Sequence, residues 1–474
     1  MTAHDVKPAR TRNRAAAPEV RDLPEVPALR KMVGPGVIAV GIGMAAGEII
    51  IWPYITSLAG FGLLWLAIVT LVMQVVINME IERYTLATGQ TVVAGFSRWW
   101  KGWGALIILG GIFQYAWPGW ATSAATVFSF TVGGDATWVA VISLWVIGAL
   151  LSASPVVYKT VEKVELLKVA ATIFFLAVLV VAVLTWKTMG TGAASLATSF
   201  GQIPGEVPFV LMLSAIGAAG AGGVHNLVIS NWIRDKGYGM GAHVPRLVSP
   251  LTGHDEASGA ADRYAFPETP ENLTRWALWW KRANIEHFVS FFVICFLTIS
   301  LMSFLAYQTL YGRDGVTTDN FLQIQGEILG TSVGGWLKIL FFSVAIVSLW
   351  AAALGLLDVI GRVSADFVKR NFLADSTVSE SKLYFLFVWA EILFGSTILL
   401  LGLDQPLVLL LISTCAASVV TLMYSVLLIR LNTVDLPRSI GSKGWRKVMM
   451  CAAVGFYAFF AIGTLVTQVQ ANLL

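Results

Sequence analysis

Charged residues are what this sequence has least of. Only 13% of its 474 residues are Asp, Glu, Lys or Arg, whereas a soluble globular domain carries about 25%. Hydrophobic residues make up 57% of the chain, and the mean hydropathy is +0.74. This composition excludes an ordinary soluble domain and indicates a polytopic membrane protein that has the lipid bilayer as its surroundings.

Several functional motifs are also missing. The three cysteines, Cys295, Cys415 and Cys451, all fall in apolar runs, so neither a disulfide framework nor a cysteine metal cluster is expected. No phosphate-binding Gly-x-x-x-x-Gly-Lys-Ser/Thr loop occurs, which argues against direct use of ATP. With no hydrolytic constellation either, we expect no enzyme activity, no cofactor, no nucleic-acid partner and no obligate protein partner.

Long apolar runs organise the rest of the chain. A run of about 20 residues is long enough to cross a hydrocarbon core about 30 Å thick. Such runs predict an all-α protein with eleven transmembrane helices, numbered here as spans 1 to 11. They cover residues 34–60, 62–86, 105–131, 137–153, 164–186, 207–233, 285–308, 336–360, 383–402, 406–429 and 447–470.

The basic residues between these runs give the orientation. With a cytoplasmic N-terminus, 29 of the 32 Lys and Arg residues fall on the cytoplasmic side, Lys168 among them, as the positive-inside rule requires. We therefore predict a bacterial-type inner (plasma) membrane protein with its N-terminus inside and its C-terminus outside.

The segments outside the spans carry further expectations. The polar, basic residues 1–32 are expected to form a disordered cytoplasmic tail, followed by a transmembrane domain over residues 33–474. The longest cytoplasmic loop is placed at about residues 235–284. Trp276 and Trp279 in that loop indicate a short helix on the membrane surface.

Spans 1 and 6 share an unusual interior. Span 1 contains "GIGMAAGE" and span 6 contains "IGAAGAGGVHN", at corresponding places five spans apart. Each Gly costs a helix about 1 kcal/mol relative to Ala, and paired breaks of this kind are typical of transporters with inverted repeats. Repeats of about residues 33–186 and 206–431 are predicted, with an extra helix at 447–470. The alternative explanation is that these small residues do not break the helices and only allow them to pack closely.

Four segments resemble the Nramp family of divalent-metal transporters. They are "GPGVIAVGIGMAAGEIIIWPYI" (34–55), "ERYTLATGQT" (82–91), "YKTVEKVELLK" (158–168) and "GGVHNLVIS" (222–230). The resemblance implies a LeuT-like fold of inverted five-helix repeats with helices 1 and 6 broken. It also implies a divalent cation as substrate and a site at the two breaks.

The residues that carry the family's chemistry differ here. The family's metal-binding Asp and Asn fall on Ala45 and Glu48, and its Met and His fall on Gly223 and His225. This pattern is similar to the Nramp-related magnesium transporters. The family's proton coupling also uses an acid in span 3 and a base in span 9; span 3 has neither, and span 9 has only Glu391. Proton-coupled transport is therefore not expected.

The predicted site combines oxygen ligands. The metal ligands are the Glu48 carboxylate, the Asn226 amide and the backbone carbonyls around Ala45 and Gly220. Oxygen ligands without sulfur suit Mg²⁺, Ca²⁺ or Mn²⁺, and the space left by Gly223 favours a partly hydrated ion such as Mg²⁺. The full substrate-binding set is Ala45, Gly47, Glu48, Gly220, Gly223, His225 and Asn226.

Other interpretations stay open. Glu48 could instead cap the broken helix, and His225 could be a proton relay or a hinge residue. A small organic cation or amino acid is the rival substrate, because Tyr115, Trp117 and Trp120 of span 3 could place aromatic faces around Glu48. A receptor or scaffold would need no paired breaks. Asp358 and Arg362 are expected to form a structural ion pair.

Overall fold

The computed structural model describes residues 17–29, 32, 35–154, 157–244, 263–373 and 376–473. Within these ranges the chain is almost entirely helical. The helices that follow the predicted spans 2, 4, 5 and 8 to 11 are Leu64–Thr88, Ala136–Ala153, Val157–Ala182, Gly335–Phe372, Glu380–Leu400, Pro406–Val434 and Gly444–Leu473.

Spans 1, 3 and 6 are each divided. Span 1 consists of Pro35–Gly43, the wider π-helical turns Ala46–Ile51 and the α-helix Trp52–Ala59. In the described part of the chain, eight helices are long and apolar enough to cross a membrane, or nine if the two bent halves of span 1 count as one. The halves of spans 3 and 6 are Lys101–Tyr115 and Gly119–Val132, and Phe209–Ala218 and Val224–Lys236. Eleven crossings therefore stay a prediction.

Three further α-helices, and one short 3-10 helix, lie between the spans. They are too short to cross a bilayer, so a search for long apolar runs does not find them. Their bounds are Val92–Trp99, Trp186–Thr198, Phe321–Ser332 and the 3-10 helix Gly239–His243.

The Trp-rich segment belongs to span 7. The helix Pro270–His287 continues through Phe288–Val293 into Ile294–Thr309, one helix of 40 residues. Trp276 and Trp279 are buried in the protein, with 6% and 1% of their surface exposed. The predicted short surface helix is therefore wrong, and the loop predicted at 235–284 ends where this helix begins.

Residues 17–29 pack against this long helix. Glu19–Val20 pairs in parallel with Tyr264–Ala265, Leu23 is fully buried, and the indole of Trp279 donates to the Pro24 carbonyl over 2.9 Å. The predicted disordered tail is wrong for this segment, because its backbone finds partners on the strand Tyr264–Ala265 and on the helix. Residues 1–16 lie outside the described ranges.

Asn272 holds the segment in place and gives a first test. Its Oδ1 accepts from the Leu23 N–H over 3.1 Å, and its Nδ2 donates to Asp22 over 2.9 Å. Asn272→Ala leaves the buried Leu23 N–H unpaired, at a cost of about 1–3 kcal/mol. We expect limited proteolysis to cut residues 17–29 several times faster in this variant. Thr274→Ala, which removes an exposed hydroxyl on the same helix, is the control; equal cleavage of both variants would contradict the assignment.

Candidate functional site

Spans 1 and 6 meet at their breaks. Span 1 bends by 40° at Met44 and Ala45, and span 6 is non-helical over residues 219–223. A Cβ atom on Gly43 would overlap the carbonyl oxygen of Gly220. The sequence left open whether these small residues mark helix breaks or allow close helix packing. In the structure they do both, because they lie at the breaks and let the two backbones touch.

Glu48 joins the two breaks. Its side chain is fully buried; Oε2 accepts from the N–H of Ala45 over 3.1 Å, and Oε1 accepts from the N–H of Gly220 over 3.2 Å. A carboxylate at the N-terminal end of a half-helix is also favoured by the helix dipole. Glu48 thus caps the second half of span 1 and fixes the break of span 6 with the same carboxylate.

Three further N–H groups at the break of span 6 are paired by neutral side chains. An unpaired backbone group is costly at membrane depth. Among the side chains that prevent this at the two breaks, the sequence pointed only to Glu48. Ala221 N–H donates to Gln74 of span 2 (2.9 Å), Gly223 N–H to Thr421 of span 10 (2.8 Å), and Val224 N–H to Gln114 of span 3 (3.2 Å).

Lys168 is a site residue that sequence reasoning missed. Its ammonium is fully buried in span 5 and donates to the carbonyl of Gly41, in the last turn of the first half of span 1. Its placement among the cytoplasmic charges is therefore wrong. A cation at the C-terminal end of a helix is favourable, so the break of span 1 has Lys168 on one side and the Glu48 carboxylate on the other.

Glu165 lies beside Lys168. Its Oε2 is 3.6 Å from the ammonium, and among the described residues its carboxylate accepts no hydrogen bond. A Cβ on Gly41 would lie 2.7 Å from Oε2, and one on Gly355 would lie 3.0 Å from Oε1. Glycine on spans 1 and 8 thus makes room for this acid. The sequence does contain a sign of this buried pair. An acid and a base stand three residues apart in the apolar stretch after residue 164.

A small cavity lies between the breaks. Its volume is about 20 Å³, enough for about one water molecule. Gly47, Gly220 and His225 line it, whereas Glu48 and Asn226 are not among its described lining residues. His225 Nε2 has no hydrogen-bond partner in the described part of the chain. The cavity is therefore lined by glycine backbone and neutral side chains.

Asn226 belongs to a separate polar chain. Its amide donates to Asn78 of span 2, which lies 3.2 Å from Nε2 of His287 in span 7. His287 Nδ1 is in turn 2.9 Å from Glu82. The structure thus joins Ala45, Glu48 and Gly220 by hydrogen bonds. The Asn226 amide nitrogen is bonded to span 2 instead, and its Oδ1 has no hydrogen-bond partner among the described residues. No cluster of three or more His, Cys, Asp or Glu occurs in the described ranges, so the metal ligands stay a prediction.

The aromatic residues of span 3 surround a different acid. Tyr115, Trp117 and Trp120 line a second cavity of about 30 Å³ together with Glu391 of span 9. Glu48 is not among its described lining residues, whereas Tyr115 and Trp120 also line the central cavity. The aromatic cage around Glu48 therefore stays a prediction. The interruption of span 3 at residues 116–118 was also missed, although Pro118 inside an apolar run is a sign of it.

An ion-pair network ties the second half of span 6 to spans 8 and 9. The expected pair forms, with Arg362 Nε 2.6 Å from Asp358 Oδ2, which confirms that prediction. Arg362 also pairs with Asp235. Arg234 links the same half-helix to Asp366 and Glu380, over 2.8 and 3.0 Å.

Comparison with known proteins gives structural relatives only. No family model matches the chain, and no curated protein matches its sequence. A variant of the manganese transporter of Eremococcus coleocola aligns with a TM-score of 0.67 at 13% identity, over 94% of this chain and 88% of that one. The same transporter in complex with an aromatic bis-isothiourea substituted compound gives a TM-score of 0.65 at 13% identity, over 94% and 88%.

A more distant structural relative also aligns with this chain. A nucleobase-cation-symport-1 family transporter, in a closed conformation with bromovinylhydantoin bound, aligns with a TM-score of 0.52 at 13% identity, over 96% of this chain and 92% of that one. At such identities the similarity concerns the fold. The predicted all-α, LeuT-like fold is confirmed, and the chain has an Nramp-like architecture over nearly its whole length.

Proposed function

We propose that this chain is a secondary transporter of divalent metal cations that works by alternating access. The fold is shared with a manganese transporter over 94% of the chain. Two helix breaks that face each other are the usual position of a transporter's substrate site. The observation that carries the proposal is the buried Glu48 carboxylate, which is bonded to both breaks at once.

The crossing of the breaks can supply oxygen ligands. An ionised carboxylate has about four lone-pair sites, and Glu48 uses two of them on backbone N–H groups. The carbonyl oxygens of Ala218 and Gly220 lie against Gly47 and Gly43. Separation of the two half-helices would free these carbonyls beside the carboxylate, and such a ligand set favours Mg²⁺ or Mn²⁺.

Movement of the half-helices is needed for the ion to enter. The central cavity of about 20 Å³ has room for about one water molecule, which is less than a partly hydrated Mg²⁺ requires. The first half of span 1 is held by Lys168 through Gly41, and the second half of span 6 is held by the pairs of Arg234 and Arg362. We propose that these contacts break and re-form during transport.

Coupling and orientation are part of the same proposal. The distribution of basic residues supports a cytoplasmic N-terminus and an external C-terminus. We propose facilitated or weakly coupled uptake without a proton path through spans 3 and 9, because span 3 has no acid or base. An organic cation is the less favoured substrate, since Trp117 lines a cavity with Glu391, and Glu48 is not among the described residues that line it.

Flux into proteoliposomes tests the proposal. Purified protein would be reconstituted, and uptake of Mg²⁺ and Mn²⁺ compared with uptake of a panel of amines and amino acids. We expect saturable uptake of a divalent cation and none of the organic compounds. Accumulation of an amine without any divalent flux would overturn the proposal. A pH-sensitive dye inside the vesicles would report whether protons move with the metal.

A further inference from the structure

The third interrupted helix has an acid packed against it. Span 3 ends its first half at Tyr115 and resumes at Gly119. On span 9, one turn after Glu391, a Cβ on Gly395 would lie 3.5 Å from Pro118 Cβ and 3.9 Å from the Ala116 carbonyl oxygen. The turn of span 9 that carries Glu391 therefore lies directly on the interruption of span 3.

The Glu391 side chain is buried at this contact. Only 8% of its surface is exposed, and its Oε2 has no hydrogen bond to any described residue. The indole N–H of Trp117, which lines the same cavity, is equally unpaired in the described part of the chain. A buried charge without a partner is costly, and acids inside membrane spans usually mark the path of an ion.

The cavity has the size and charge for one small cation. Its volume of about 30 Å³ is room for about two water-sized particles, too little for an organic ammonium ion. No Lys or Arg is among its described lining residues, so a single cation would neutralise Glu391. Trp117 and Trp120 also line the cavity, and aromatic rings attract cations.

We propose that this cavity is a second cation site, which binds a monovalent metal cation such as sodium. Its ligands are the carboxylate of Glu391 and the backbone carbonyls of the interruption in span 3, at residues 115 and 116. Hard oxygen ligands of this kind suit an alkali cation better than they suit a soft metal.

The site also adjoins the central cavity. Tyr115, Trp120 and Leu356 line both cavities, and the Tyr115 hydroxyl donates to the Gly222 carbonyl in the break of span 6 over 3.4 Å. An ion bound beside Glu391 is therefore next to residues that also line the central cavity, and one of them, Tyr115, is bonded to the break of span 6. On this basis the monovalent cation is the coupling ion, a role that rests on the proposed transport function, whereas the binding site itself does not.

Thermal unfolding of the purified full-length protein tests the site without any divalent metal. Unfolding would be followed against increasing NaCl, with choline chloride at equal ionic strength, because choline is too large for the cavity. We expect sodium to raise the Tm of the wild type in a saturable way and to leave that of Glu391→Gln unchanged. Glu327→Gln, which changes an exposed carboxylate paired with Lys338, should respond like the wild type.

Gly395→Ala gives a second test if Glu391→Gln does not fold. Its added methyl group makes ordinary contacts of 3.5 to 3.9 Å, so the variant should fold with its carboxylate intact and a smaller cavity. We expect its apparent sodium affinity to fall about tenfold, equivalent to about 1.4 kcal/mol.

Three results would overturn the site: an equal sodium effect in Glu391→Gln, no alkali effect in the wild type, or stabilisation by acidic pH alone, which would indicate a proton site. These results are distinct from failure of the proposed function. Sodium binding with no flux of any divalent cation would contradict the transport proposal and would support the sodium site. Divalent flux with no sodium effect would support the transport proposal and contradict the sodium site.

Discussion

Replacement of Glu48 by Ala is expected to abolish transport and to destabilise the fold. The carboxylate is the hydrogen-bond acceptor for the buried N–H groups of Ala45 and Gly220. Each group left unpaired costs about 1–3 kcal/mol, and the two losses fall on both breaks at once. Reduced thermal stability in detergent, together with loss of divalent flux in proteoliposomes, is the expected result.

Glu48→Gln separates charge from capping. The amide keeps one acceptor oxygen but presents an NH₂ group to one of the two backbone N–H donors, so the variant should fold with a weakened link between the breaks. We expect its flux to fall about a hundredfold, equivalent to about 2.7 kcal/mol. Glu327→Gln, at the exposed pair with Lys338, is the control. A folded Glu48→Gln protein with wild-type flux would mean that Glu48 is a cap only.

The sequence was sufficient for the fold and for the position of the breaks in spans 1 and 6, although not for the interruption of span 3. Long apolar runs and two glycine-rich interiors are local signals, and residues 41–48 and 216–226 carry them without reference to the rest of the chain. The partners of Glu48 were not visible in the same way. Gly220 is 172 positions away, and only the packing of span 6 on span 1 shows that its N–H points at the carboxylate.

The misplacement of Lys168 has a different cause. Counting basic residues treats every Lys as a marker of a helix end, which holds only when the ammonium reaches water. Here the helix begins at Val157, several residues before the predicted start of span 5, so Lys168 lies inside the protein and reaches the Gly41 carbonyl. The sequence also contains two acids in membrane spans, Glu48 and Glu391, and only the tertiary structure shows that Glu391 lines a cavity with Tyr115, Trp117 and Trp120.

Lys168→Met is expected to destabilise the protein by about 3–5 kcal/mol, the usual cost of removing one partner of a buried ion pair. The substitution keeps an unbranched apolar side chain, yet it leaves the Gly41 carbonyl without its donor and Glu165 without its counter-charge. We also expect loss of divalent flux, because the first half of span 1 is then no longer held at its break. Chemical unfolding and proteoliposome flux would measure the two effects.

The double variant Lys168→Met/Glu165→Gln tests whether the pair is structural or part of transport. Removing both charges should recover much of the stability, since a buried pair replaced by neutral groups is often close to neutral in energy. Flux should stay low, because Gly41 still lacks its donor. Lys338→Met, at an exposed pair with Glu327, should cost at most about 1 kcal/mol. If the double variant recovers flux together with stability, Lys168 holds the fold together and has no part in the movement of span 1.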